Sequence, residues 1–171
     1  PRALTALVDS FEGSRAEKAA RRLAPNQRLL AKERLHMASF LQYTLPGVPC
    51  LYYGDEAGME GYADPFNRRP FPWGHEEVDL QEHFRNLGRL KQEFSALQQG
   101  NIQFQTASDG HLAFMRQFKN ETIWIYVNRT EDRWAIPAGN RVIFGRNVET
   151  IASGSLALLP MGFCAVKQEN I

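Results

Sequence analysis

Two stretches of the chain combine residue types that could do chemistry. The first is Gly54-Asp55-Glu56, a pair of adjacent carboxylates that follows a short apolar run. Two carboxylates can break a glycosidic bond when they face each other across it, one as acid and one as nucleophile or base. On an extended chain, neighbouring side chains point to opposite sides, so Asp55 and Glu56 are poorly placed to flank one bond. Fixing the loop through backbone hydrogen bonds is the simpler role for them. The second stretch is the loop at residues 57–74, rich in glycine, proline and aromatics, with Asp64 four residues before Arg68. Carboxylate and guanidinium groups hydrogen-bond pairs of hydroxyls, and aromatic faces cover the apolar side of a sugar ring. A purely structural loop would use the same residues, with an Asp64–Arg68 ion pair and packing by Phe71 and Trp73. Local chemistry leaves both readings open.

Other candidates are weaker. Trp124, Tyr126 and Trp134 could form a sugar platform, but Trp124 and Tyr126 alternate along one apolar stretch and read more simply as strand interior. Cys50 and Cys164 sit in apolar surroundings, outside any Cys/His cluster, and read as buried small hydrophobes with a disulfide left open. The basic run at residues 15–22 lacks an aromatic that could stack on a base, so it reads as a solvated face. With a net charge of +1, nothing in the total favours a nucleic-acid partner. No apolar run approaches the ~20 residues that cross a bilayer, so no membrane partner is expected. No metal or cofactor is called for.

The elements that must position these residues change in kind along the chain. At 43% hydrophobic and 23% charged, the composition fits a globular protein. A helix is expected from Pro25-Asn26 to just before Pro46, apolar on nearly every side in its second half and therefore covered on more than one face. Residues 48–53 read as a strand buried on both faces. A second helix is expected over residues 79–98, with Asp79 as its cap and a stripe of Leu80, Phe84, Leu87, Leu90, Phe94 and Leu97. Helix, buried strand, long loop and helix make one β/α unit, and one unit cannot close a sheet. Beyond residue 101 the pattern turns to strands, at 111–118, 122–128, 141–144, 156–159 and 162–166, with a hairpin turn at Lys119-Asn120.

Residues 45–56, Leu-Pro-Gly-Val-Pro-Cys-Leu-Tyr-Tyr-Gly-Asp-Glu, closely resemble the eighth-strand segment of the alpha-amylase family of glycoside hydrolases. Asp64-Pro65-Phe66-Asn67-Arg68 resembles the loop that follows it, and the nearest look is to neopullulanase, cyclomaltodextrinase and maltogenic-amylase-like members. The resemblance implies an α+β fold: residues 1–100 would be the last helix–strand–helix segment of a (β/α)8 barrel, and residues 101–171 a C-terminal antiparallel β-sandwich domain. It implies that Asp64 and Arg68 contact glucose units of an α-glucan or maltooligosaccharide. Pro1-Arg2-Ala3-Leu4-Thr5 looks like the continuation of a His-Asp motif, with Arg2 as its arginine. The catalytic carboxylates would then precede Pro1, so that no catalytic residue lies in this chain. The parent is implied to be a retaining hydrolase of α-1,4 bonds, with α-1,6 as a further option, and the isolated chain to be inactive. A non-catalytic carbohydrate-binding module is the competing reading. The helix around Phe40-Leu41 and the strand around Leu51-Tyr52 are expected to pack on the β domain or on another copy of the chain. Localisation stays open, with the cytoplasm slightly favoured.

Overall fold

A computed structural model describes residues 1–137, 140–151 and 155–168. Among the described residues five helices precede six strands: α1 (Ala3–Ala6), α2 (Arg15–Ala20), α3 (Pro25–Thr44), α4 (Val78–Glu93), α5 (Ser95–Gln99), then β1 (Asn101–Ser108), β2 (His111–Phe118), β3 (Glu121–Asn128), β4 (Trp134–Ile136), β5 (Asn140–Thr150) and β6 (Leu156–Gln168). The chain divides into two compact units, one of Pro1–Ser39 with Pro49–Asn86 and the other of Phe40–Val48 with Leu87–Ile171. The mixed α+β character read from the sequence holds.

The first unit is helices and loops. Helix α3 begins at Pro25, where a missing N–H costs nothing. Helix α2 carries the basic run, has a capping box between Ser14 and Glu17, and buries none of its residues. Charge ties α3 to the segments packed on it. The Arg28 guanidinium donates to Glu60 and to Glu77, the latter at 2.7 Å, and the Lys32 ammonium sits 2.8 Å from Glu77 and 3.0 Å from Asp79. Asp79 thus lies inside the first turn of α4 and pairs with Lys32, rather than standing as the helix cap.

The strand expected at residues 48–53 does not form, and the segment runs as irregular chain and turn. A strand exists by pairing, and no other segment of this unit lies alongside in an extended ladder. Val48 is accordingly 95% exposed, and Cys50, expected to be buried, is exposed and outside any disulfide.

The second unit is an antiparallel sheet in the order β1-β2-β3-β6-β4, with β5 pairing to β6 as well. It is one curled sheet rather than two separate ones. Strand β3 lies between β2 and β6, as its two large apolar registers require. One face carries Ala113, Tyr126, Cys164 and Val166, which cluster with Ile136, Leu156 and Leu158. Burial pushes both the Tyr126 hydroxyl and the Cys164 thiol up to about 12, so both stay neutral. The alternate register carries Phe114, Ile123, Ile125 and Phe163. Phe40, at the end of α3, stacks on Phe163 with ring centroids 4.6 Å apart. This part of α3 therefore packs on the β domain, as expected. Arg116, fully buried, donates to the carbonyl of Thr44 at 2.5 Å and to that of Gly100 at 2.9 Å.

The helix expected over 79–98 is two helices, broken at Phe94, whose backbone is extended. Ala96 N–H donates to Glu121 at 2.7 Å, a new helix start that only the sheet makes favourable. All six residues of the stripe are buried nonetheless. The strands expected at 156–159 and 162–166 form one element, and β1 and β4 were not foreseen.

Candidate functional site

The loop carrying Asp64 and Arg68 is set up from below by residues near the start of the chain. Arg2 is 1% exposed and donates to the Tyr53 carbonyl. Its guanidinium carbon lies 4.6 Å from the Tyr52 ring centre and 4.4 Å from that of Tyr53, an arrangement in which ring faces attract a cation. Asp55 completes this cluster, 3.6 Å from Arg2. Burial raises the Asp55 pKa and the charge of Arg2 opposes that rise. Glu56 turns back on the chain and accepts from Gly54 N–H at 2.8 Å. Asp55 and Glu56 thus do the separate structural work that their opposite directions foretold.

Two further bonds clamp Gly61. The Arg2 N–H donates to its carbonyl at 2.8 Å, and its own N–H donates to the Thr5 hydroxyl at 3.0 Å. A β-carbon at Gly61 would lie 2.5 Å from the Phe66 carbonyl oxygen, so only glycine allows the following turn to fold back this closely. That turn closes with Phe66 N–H on Ala63 and Arg68 N–H on Pro65, both at 3.0 Å. Next to it, Tyr62 donates to Asp9 at 2.6 Å, and Arg21 donates to Asp9 at 2.9 Å. The Tyr62 hydroxyl, with Arg21 and the Phe11 N–H, holds the Asp9 carboxyl below its usual range against the effect of burial.

On this support, Asp64 and Arg68 come together as their spacing suggests, with Arg68 Nη2 2.6 Å from Asp64 Oδ1. Their side chains are 61% and 59% exposed, so the carboxylate and guanidinium edges remain open to a ligand. Phe71 and Trp73 touch, with ring centroids 4.6 Å apart. They do not close the loop as a packed core, since Trp73 is 79% exposed. The sequence motifs singled out Asp64, Arg68 and Arg2, and the structure brings Asp64 and Arg68 together. Sequence reasoning missed the Tyr52–Arg2–Tyr53 stack and the Thr5–Gly61 bond, which join residues some fifty positions apart and have no local signal.

The aromatics of the β unit are arranged differently. Tyr126 is 3% exposed, and Trp124 and Trp134 are half-buried against the core cluster it belongs to. Their rings are engaged with one another and with His111, whose ring centre lies 4.6 Å from that of Trp134. Among the described residues, no group of His, Cys, Asp and Glu is placed to hold a metal ion, and no helix is long and apolar enough to cross a membrane.

The chain as a whole is similar to known proteins, although no family model matches it. An amylopullulanase of Thermoanaerobacter thermohydrosulfuricus is 44% identical over 91 residues, which are 53% of this chain and 6% of that protein. A cyclomaltodextrinase of Geobacillus thermopakistaniensis is 36% identical over 108 residues, 61% of this chain and 18% of that protein. The crystal structure of the maltogenic amylase from S. marinus superposes with a TM-score of 0.69 at 28% identity, covering 81% of this chain and 20% of that one. In sequence and fold the chain is therefore similar to part of enzymes of the alpha-amylase family of glycoside hydrolases, the family its motifs resemble. It spans less than a fifth of the length of each of the two relatives named.

Proposed function

We propose that this chain is part of a retaining α-glucan hydrolase of the alpha-amylase family, acting on α-1,4 bonds and also, in some substrates, on α-1,6 bonds. Residues 1–100 are read as the end of its (β/α)8 barrel and residues 101–171 as its C-terminal domain. Asp64 and Arg68 are the part of the sugar site that the chain contributes, each hydrogen-bonding glucose hydroxyls of starch, pullulan, a cyclodextrin or a maltooligosaccharide. The observation that carries this reading is the exposed Asp64–Arg68 pair, held on a clamped turn within a region similar to enzymes of that family. Bond cleavage needs two carboxylates facing each other, and Asp55 and Glu56 are occupied separately.

The pure chain is accordingly expected to release no reducing sugar from starch, pullulan or cyclodextrins. Turnover that survives purification and changes on mutation of Asp55 or Glu56 would overturn the assignment of chemistry to other residues. The competing reading, a binding module centred on Trp124, Tyr126 and Trp134, has the half-buried and mutually packed state of those rings against it. Self-association belongs to the same proposal: Leu51, Tyr52 and Tyr53 present apolar surface that a second copy could cover. A monodisperse monomer in light scattering would rule that part out.

A further inference from the structure

We propose that Trp73, backed by Phe71, is a stacking platform for a pyranose ring, a subsite on the loop that carries Asp64 and Arg68. The inference takes its ligand class, an α-glucan, from the reading above. At 79% exposure, Trp73 leaves most of an indole in water, whereas Trp124 and Trp134 lie against a core. An indole left in water beside a second aromatic offers a flat apolar face to a ring that can stack on it. The backbone beneath it is fixed: the Trp73 backbone N–H donates to the Phe71 carbonyl at 3.0 Å, and the His75 N–H closes the next turn on Pro72 at 2.9 Å. Pro70 and Pro72 fix two backbone angles around Phe71, and the Tyr53 hydroxyl donates to the Arg69 carbonyl at 3.0 Å, tethering the loop one residue earlier. The Phe71 ring supports the indole at 51°. A β-carbon added at Gly74 would meet nothing within 4 Å outside its chain neighbours, so the turn after Trp73 is itself uncovered.

A sugar ring offers an apolar face to an aromatic and hydroxyl edges to charged groups, and this loop presents both kinds of partner. Because the backbone that carries the indole is fixed beforehand, little main-chain freedom is lost when a ring stacks on it.

The test is a titration of the isotope-labelled chain with maltoheptaose, followed in proton–nitrogen correlation spectra. The Trp73 indole signal is identified by its loss in W73F. It should move most among the tryptophan indoles, and W73A should weaken binding about three- to tenfold while W73F keeps most of the affinity. An unmoved Trp73 signal to millimolar sugar, or W73A binding as tightly as the parent chain, overturns the platform. Loss of affinity in W73A but not in D64A or R68A would keep the platform and sink the role given to the ion pair. The reverse pattern would sink the platform alone.

Discussion

The two units of this chain reach a folded state by different means. The unit of Pro1–Ser39 and Pro49–Asn86 has long irregular segments, and many of its long-range contacts are charged: Arg28 with Glu60 and Glu77, Lys32 with Glu77 and Asp79, Arg21 with Asp9, and Arg2 with Asp55. The unit of Phe40–Val48 and Leu87–Ile171 relies on backbone ladders and an aromatic interior, with Phe163 close to both Phe40 and Phe144. Loops without a ladder must satisfy their backbone groups through side chains, and charged side chains do this most strongly. The proposed sugar site falls in the charged unit for the same reason: an irregular loop can present groups to solvent that a packed sheet would bury.

The largest expected effect tests the apolar side of the comparison. Phe163→Ala should lower unfolding stability by about 3–5 kcal/mol, read from the denaturant midpoint, because the cavity would open between packed aromatic rings. A loss below about 1 kcal/mol would mean that the aromatic stack does not hold this unit together. Glu77→Gln comes next, at about 1–2 kcal/mol, since it weakens the hydrogen bonds from both Arg28 and Lys32. Added salt should shrink the difference between parent and variant, and a salt-independent difference would argue against a charge-held unit.

Acid should affect the charged unit first. Hydrogen bonds from Lys32 and Arg28 hold the Glu77 pKa below the ordinary 4.5. Its contribution is therefore present above that value and is lost as pH falls through the lowered folded pKa. Asp55 works in the other direction, because burial raises its pKa above the ordinary 3.8. Its contribution is present below that value and is lost as pH rises through the raised folded pKa. Acid unfolding curves should flatten in E77Q and steepen in D55N, and the opposite order would reject these assignments. The smallest effect is expected at the site itself: D64A and R68A should leave the unfolding midpoint unchanged, because an exposed ion pair contributes little.

Much of this organisation was legible in the sequence where the signal is local. Proline marked the start of α3, alternation gave β2 and β3, and spacing four apart gave the Asp64–Arg68 pair. The misses all involve neighbours that lie elsewhere in the chain. Periodicity runs straight through Phe94, so the break between α4 and α5 is invisible without Glu121 beneath it. Residues 48–53 carry strand-forming side chains, but strand formation also requires a partner. Strand β1 is an edge with mostly exposed residues, and its polar–apolar alternation runs only over residues 101–105 before the register shifts after Phe104. The support of the site was equally hidden, because Arg2 reaches Tyr52, Tyr53 and Gly61 across half of the unit's sequence.

The central claim, that the sugar-contacting groups of this chain are on the clamped loop rather than in the β unit, is tested most directly by calorimetric titration of maltoheptaose. The parent chain, an Asp64→Ala and Arg68→Ala double variant, and a Trp134→Phe variant would be compared under one set of conditions. The account predicts that the double variant loses affinity about tenfold or more, as expected when charge-assisted hydrogen bonds are removed, while the Trp134→Phe variant binds like the parent. Undiminished binding by the double variant, with affinity lost in Trp134→Phe, would contradict it and place the glucan on the β unit.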